Sequence, residues 1–201
     1  MFTIKSVVYP KKIAQRLTEL SHNRSVVDSN ALGTAANFTC GSFVRFSLSI
    51  DTQSQIVSGA NFSSNGCGFM LTAADVLAES VMKKRLVDLH GLSDADQNEH
   101  IRKCLGEISS ERGECVAACI EALRASFADF RARQIEEFQG EKGLICTCFG
   151  VSEETIESIL SEPGTLATGA FTVEEITRAT GAGGGCGSCR MLIQEMLDMR
   201  R

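Results

Sequence analysis

Nine cysteines stand in this chain of 201 residues: Cys40, Cys67, Cys104, Cys115, Cys119, Cys146, Cys148, Cys186 and Cys189. Four of them form two close pairs, Cys146-Thr147-Cys148 and Cys186-Gly187-Ser188-Cys189. Two such pairs can converge on one tetrathiolate site, and thiolate is a soft donor that favours zinc, iron or an iron–sulfur cluster. Zinc pairs are usually spaced Cys-x2–4-Cys, so the tighter Cys-x-Cys leans toward iron. Gly181, Gly183, Gly184, Gly185 and Gly187 surround the second pair. Glycine lets the backbone approach closely and aim amides at sulfur, which suits a charged cluster. On spacing alone, an iron–sulfur cluster, zinc and a bare dithiol all stay open. A phosphate loop does not fit, because the glycines miss the G-x-G-x-x-G spacing and no Gly-Lys-Ser/Thr follows.

A second set is more dispersed. Cys40 precedes a strand signal, Cys67 lies in Asn65-Gly66-Cys67-Gly68, and Cys115 is expected at the start of a long helix. Cysteines from loops and a helix start can meet at one end of a fold. A helix N-terminus would also make Cys115 more thiolate than average. The competing reading is three small buried apolar residues. Cys119 lies one helical turn after Cys115 and is either core or a fourth ligand. Cys104 reads as structural, and His22, His90 and His100 as surface residues. An odd cysteine count, with no signal-peptide core at the start, argues against a secreted disulfide framework.

Net charge is −5, which argues against a generic nucleic-acid or anionic-membrane surface, since both need clustered positive charge. No apolar run approaches the ~20 residues of a membrane-spanning helix. Hydrophobic residues make up 43%, enough for a core. The expectation is a soluble, cytoplasmic protein.

The elements that must position these thiols follow from periodicity. A helix is predicted over about 10–20, with Ile13, Leu17 and Leu20 on one face. An irregular polar stretch over 21–39 has Asn30 and Gly33 as turn residues. Val44, Phe46, Leu48 and Ile50 alternate as a strand, with an antiparallel partner over 55–62. Thr72 with Asp75 reads as the cap of a helix reaching Leu89. Further helices are predicted over about 94–105 and 114–138, the latter with a stripe of Val116, Ile120, Leu123, Phe127 and Phe130. Residues 131–143 are charged, end in two glycines and mark the domain boundary, and the charge run 131–137 within them reads as a solvated helix face. The remaining piece is small enough to need a staple. Its predicted helices start after Ser152, after Thr172 and at Cys189, with Met191, Met196 and Met199 as core filler.

The C-terminal segments 146–151, 172–176 and 182–189 closely resemble the bacterioferritin-associated-ferredoxin-like (BFD-like) [2Fe-2S] domain, in the version found in the middle of NifU. The resemblance implies a small all-α domain at 144–201 around a [2Fe-2S] cluster held by Cys146, Cys148, Cys186 and Cys189. Upstream, Tyr9-Pro10-Lys11-Lys12, the stretch 28–33, Thr39-Cys40-Gly41 and Gly66-Cys67-Gly68 resemble the IscU/NifU N-terminal scaffold family. That implies an α+β scaffold domain over 1–138, a small antiparallel sheet with packed helices. Cys40, Cys67 and Cys115 would be its metal ligands, and Cys115 the persulfide acceptor.

The two domains stand in NifU order, without that family's third, C-terminal domain. The family's Asp two residues after its first cysteine is here Ser42, and its His before the third cysteine is Glu114. Its Leu-Pro-Pro-x-Lys chaperone segment is here Ile108-Ser109-Ser110-Glu111-Arg112. The implied function is an iron–sulfur assembly scaffold and carrier, not an enzyme. It would handle iron, take sulfur from a cysteine desulfurase and serve apo iron–sulfur clients, with room for a homodimer and an unassigned electron donor. The alternatives are a ferredoxin-like electron-transfer or sensing protein with a degenerate scaffold, and a zinc-stabilised module.

Overall fold

A computed structural model describes residues 9–24, 28–137, 143–161 and 171–200. They fall into two compact units. One comprises Met1–Asp51, Val57–Lys83 and Leu92–Ala128; the other comprises Thr52–Ile56, Lys84–Gly91 and Asp129–Arg201.

The first unit is built on an antiparallel sheet in the order β1 (Ala31–Asn37), β2 (Ser42–Ile50), β3 (Val57–Ser64). Val44, Phe46, Leu48 and Ile50 of β2 are buried as their alternation predicts. A register shift at Ser49/Ile50 sets Val57, Ala60 and Phe62 opposite Ile50, Leu48 and Phe46, so one face carries an apolar row. Phe46 and Phe62 meet with ring centroids 6.2 Å apart. Burying each such ring is worth about 1.5–3 kcal/mol.

Strand β1 lies in the stretch read as irregular from sequence, and Gly33 is a mid-strand residue rather than a turn. Ala31, Gly33 and Ala35 are weak strand formers, which hid the element. Their smallness has a structural cause. A Cβ on Gly33 would lie 2.1 Å from the Ala122 carbonyl oxygen and 2.2 Å from the Ser126 nitrogen of helix α5 (Ser110–Glu137). Gly33→Ala is therefore expected to destabilise the fold by roughly 1–3 kcal/mol through overpacking, read as a lower thermal midpoint.

Helix α1 covers Lys11–Leu17, and α2 covers Gly68–Val81, starting earlier and ending earlier than predicted. Thr72 is no cap: it is buried inside α2 and donates to the Gly68 carbonyl at 2.8 Å. Asp75 is 1% exposed and accepts from the Ser21 and His22 amides (3.0 and 2.9 Å) and from Arg16 (2.7 Å). The Thr-x-x-Asp pattern thus serves tertiary contacts instead of a helix start. His22 is half-buried, its ring bonded to the Ala60 carbonyl at 2.8 Å, rather than a free surface residue. Lys83, at φ 61°, separates α2 from the short α3 (Leu86–Leu89) of the second unit. Helix α4 spans Asp94–Leu105 behind a capping box of Ser93 and Asp96. Cys104, read as structural, is exposed on α4, 3.9 Å from His100.

The C-terminal part of the second unit pairs β4 (Leu144–Cys146) with β5 (Val151–Ser152), a small ladder that the helical reading did not anticipate. Helices α6 (Glu153–Leu160), α7 (Val173–Thr180) and α8 (Arg190–Asp198) follow. Ser152 caps α6, and Thr172 with Glu175 forms a capping box on α7. Ile156, Ile176, Ile193, Met196 and Leu197 are buried. Met191 (77%) and Met199 (78%) face outward, so only Met196 fills the core. Spacing decides this: Ile193, Met196 and Leu197 are the i, i+3, i+4 face of α8. No helix among the described residues is long and apolar enough to cross a membrane.

Candidate metal centres

The first unit brings its three expected ligands to one end of the sheet. Cys40 sits in the loop joining β1 to β2, where Gly41 turns at φ +70° and returns its amide to the Asn37 carbonyl at 2.9 Å. Because β3 runs antiparallel to β2, its end arrives at the start of β2. The Phe43 amide donates to Asn65 Oδ1 at 2.8 Å and ties the two loops together. Cys67 is then the N-cap of α2, with the Gly68 amide donating to the Tyr9 hydroxyl at 3.0 Å. Cys115 comes from α5. Its sulfur lies 3.8 Å from Cys67 Sγ and 3.8 Å from Asn37 Nδ2.

Their electrostatics differ from the sequence expectation. Helix α5 begins at Ser110, so Cys115 lies beyond the first turn and gains little from the helix end. It is 3% exposed, and burial together with the neighbouring Cys67 pushes its thiol up to about 11. Cys40 is exposed and held below its ordinary value, chiefly by hydrogen bonding to the Ser42 hydroxyl, whose oxygen lies 3.2 Å from the sulfur. Arg112 adds a smaller favourable charge and stacks over Phe69, 5.6 Å from the ring centroid. Glu114 is exposed. Cys119 is fully buried and its thiol is pushed upward by desolvation. Sequence reasoning missed Asn37, because it missed the strand that carries it.

In the second unit the four expected cysteines stand as two pairs. Cys148 donates to Cys186 at 3.4 Å, and Cys189 acts on Cys146, raising its thiol. Cys146 and Cys189 are buried, Cys148 is half-buried and Cys186 is exposed. Burial raises the Cys146 and Cys148 thiols, but backbone donors oppose it, Phe149 and Gly183 at Cys146 and Cys186 at Cys148. Cys186 is drawn down to about 7, first by the Ser188 hydroxyl. Gly183 holds φ +84°, a conformation that costs other residues energy, and so can present its amide to Cys146. A Cβ on Gly185 would lie 3.2 Å from Cys148 Sγ.

Among the described residues, no three His, Cys, Asp or Glu side chains already close around one metal position; the sulfurs stand as pairs. Backbone donors at Cys146, Cys148 and Cys186 nevertheless suit a negatively charged iron–sulfur cluster.

Comparison with known proteins gives the family. Residues 8–137 match the NifU-like N-terminal domain. The chain belongs to that family. Residues 144–199 match the BFD-like [2Fe-2S] binding domain, so an iron–sulfur cluster is the cofactor of this region. The nitrogen fixation protein NifU of Azotobacter chroococcum is 27% identical over 190 residues, covering 94% of this chain and 59% of the relative. The iron-sulfur cluster assembly scaffold protein IscU of Aquifex aeolicus is 23% identical over 153 residues, covering 76% and 94%. The crystal structure of a NifU-like protein (N-terminal) from Brucella abortus aligns with a TM-score of 0.46 at 14% identity, covering 62% of this chain and 94% of that one. The chain thus spans about three-fifths of the length of the NifU relative. Within this NifU-like chain the first unit contains Cys40, Cys67 and Cys115, and the second contains Cys146, Cys148, Cys186 and Cys189.

Proposed function

We propose that this chain is an iron–sulfur cluster assembly scaffold and carrier. The first unit builds or holds a cluster as cargo on Cys40, Cys67 and Cys115. The second unit keeps a resident [2Fe-2S] cluster on Cys146, Cys148, Cys186 and Cys189. The cluster, when bound, supplies one-electron redox chemistry. The protein's own part is to hold sulfur ligands and aim the Phe149, Gly183 and Cys186 backbone donors at them. Sulfur would come from a cysteine desulfurase and pass to apo iron–sulfur proteins in the cytoplasm, with no turnover of a small-molecule substrate. One observation carries the reading: two separate sets of thiols, one with backbone donors at Cys146, Cys148 and Cys186 and one opening through the exposed Cys40.

A ferredoxin-like or sensing role is the second reading. It is favoured by Ser42 and Glu114, which stand where the scaffold family has Asp and His, with Ser42 engaged by Cys40. Reconstitution separates the two. The full chain is loaded with desulfurase, cysteine and ferrous iron, then mixed with an apo-ferredoxin. Scaffold function is expected to deliver cluster while the second-unit absorbance persists. Reversible redox cycling with no delivery would replace it with the ferredoxin reading. A colourless protein with stoichiometric zinc would replace both.

A further inference from the structure

Beneath the first site lies a sulfur that the scaffold reading does not use. Cys119 follows Cys115 by one turn of α5, and side chains four apart on a helix share a face with Cβ atoms about 5–6 Å apart. Its sulfur is 0% exposed and donates to the Met70 carbonyl at 3.4 Å. It interacts electrostatically with both Cys115 and Cys67. Cys115 and the half-buried Cys67 are themselves a pair 3.8 Å apart, Cys119 lies one helical turn from that pair, and Cys40 acts on Cys115 from the exposed side.

Three thiols leave a four-coordinate thiophilic centre one donor short. The oxygen-bearing candidates are poorly placed to complete it. Ser42 Oγ is occupied by Cys40 at 3.2 Å, and Glu114 stands on the exposed side of α5. A carboxylate or neutral hydroxyl is also a harder donor than thiolate for iron or zinc. Met70 offers no alternative, because its thioether accepts from the Ser64 hydroxyl at 3.2 Å.

We propose that Cys119 is the fourth ligand of the first unit, which then holds its metal cargo through Cys40, Cys67, Cys115 and Cys119. This rests on the scaffold reading and deepens it. Binding breaks the Cys119 S–H and its bond to Met70, releases the proton to solvent and forms a metal–sulfur bond. The metal charge offsets what burial otherwise costs a thiolate. A site with four sulfurs would hold its cargo more firmly than one completed by oxygen.

Zinc is the probe, used on the full chain with its second-unit cluster in place. Zinc X-ray absorption is blind to the iron of that cluster, and an unchanged iron content shows that zinc has not displaced it. Wild type is expected to show four sulfurs per zinc, and both Cys119→Ala and Cys119→Ser three sulfurs plus one oxygen or nitrogen. The serine variant keeps the side-chain size if alanine disturbs the core, and far-ultraviolet circular dichroism checks both. Three sulfurs in wild type, or a count unchanged by both substitutions, overturns the assignment and leaves the scaffold reading standing. No zinc retained outside the second unit overturns both.

Discussion

Cys146→Ser and Cys189→Ser, each in the full chain, are expected to abolish the visible absorbance of the second-unit cluster and to unfold residues 144–199. The size of the effect follows from the size of the piece. Segments below ~70–80 residues seldom supply a sufficient core, so metal binding becomes folding free energy, about 10–16 kcal/mol for structural zinc peptides. Cys146 is 2% exposed and Cys189 6%. A hydroxyl at either place is a poor iron ligand, and at Cys146 it also deprives the Phe149 and Gly183 backbone donors of their sulfur. Cys186 is exposed, and its serine variant should retain more of the fold. Iron per chain, the visible spectrum and the thermal transition of this region decide the matter. Two irons per chain and an unchanged transition in Cys146→Ser would remove that residue from the ligand set.

The C-terminal region was legible in sequence because its signals are local. Capping residues at Ser152 and Thr172 and the close cysteine pairs all act within a few positions. What escaped there was the β4–β5 ladder, too short to show an alternation, and the outward face of α8, where methionine can lie inside or outside. The first unit was harder to read, because its local patterns serve distant partners. Ala31, Gly33 and Ala35 look like loop residues until α5 is laid against them, since only small side chains admit that helix. Thr72 and Asp75 imitate a cap while satisfying Gly68 and the 21–22 backbone. The boundary of α5 mattered most. Starting the helix at Ser110 moves Cys115 from a helix end, where a thiolate is favoured, into a buried layer, where it is not.

That change bears on the second large effect, sulfur loading. Cys115→Ala is expected to abolish stable persulfide on the first unit after treatment with a cysteine desulfurase, whereas Cys104→Ala leaves it intact. Cys104 lies apart on α4 beside His100, while Cys115 shares its site with Cys67 and Asn37. The pH profile is the sharper test. With its thiol pushed up to about 11, Cys115 is overwhelmingly protonated at pH 7. The thiolate is the nucleophile, so loading by direct attack of Cys115 should rise about tenfold per pH unit and level off only near pH 11. Cys40 is held below its ordinary value by Ser42, so loading through Cys40 would level off at lower pH. Mass spectrometry of the loaded protein locates the sulfur, and the rate profile tells which thiol received it first. Persulfide found chiefly on Cys40 or Cys67 would refute the assignment to Cys115. An early plateau with persulfide still ending on Cys115 would make Cys40 the entry point. The exposed thiol beside Ser42 would then take sulfur from the donor and hand it inward, Cys40–S–SH and the Cys115 thiolate exchanging to Cys40 thiolate and Cys115–S–SH.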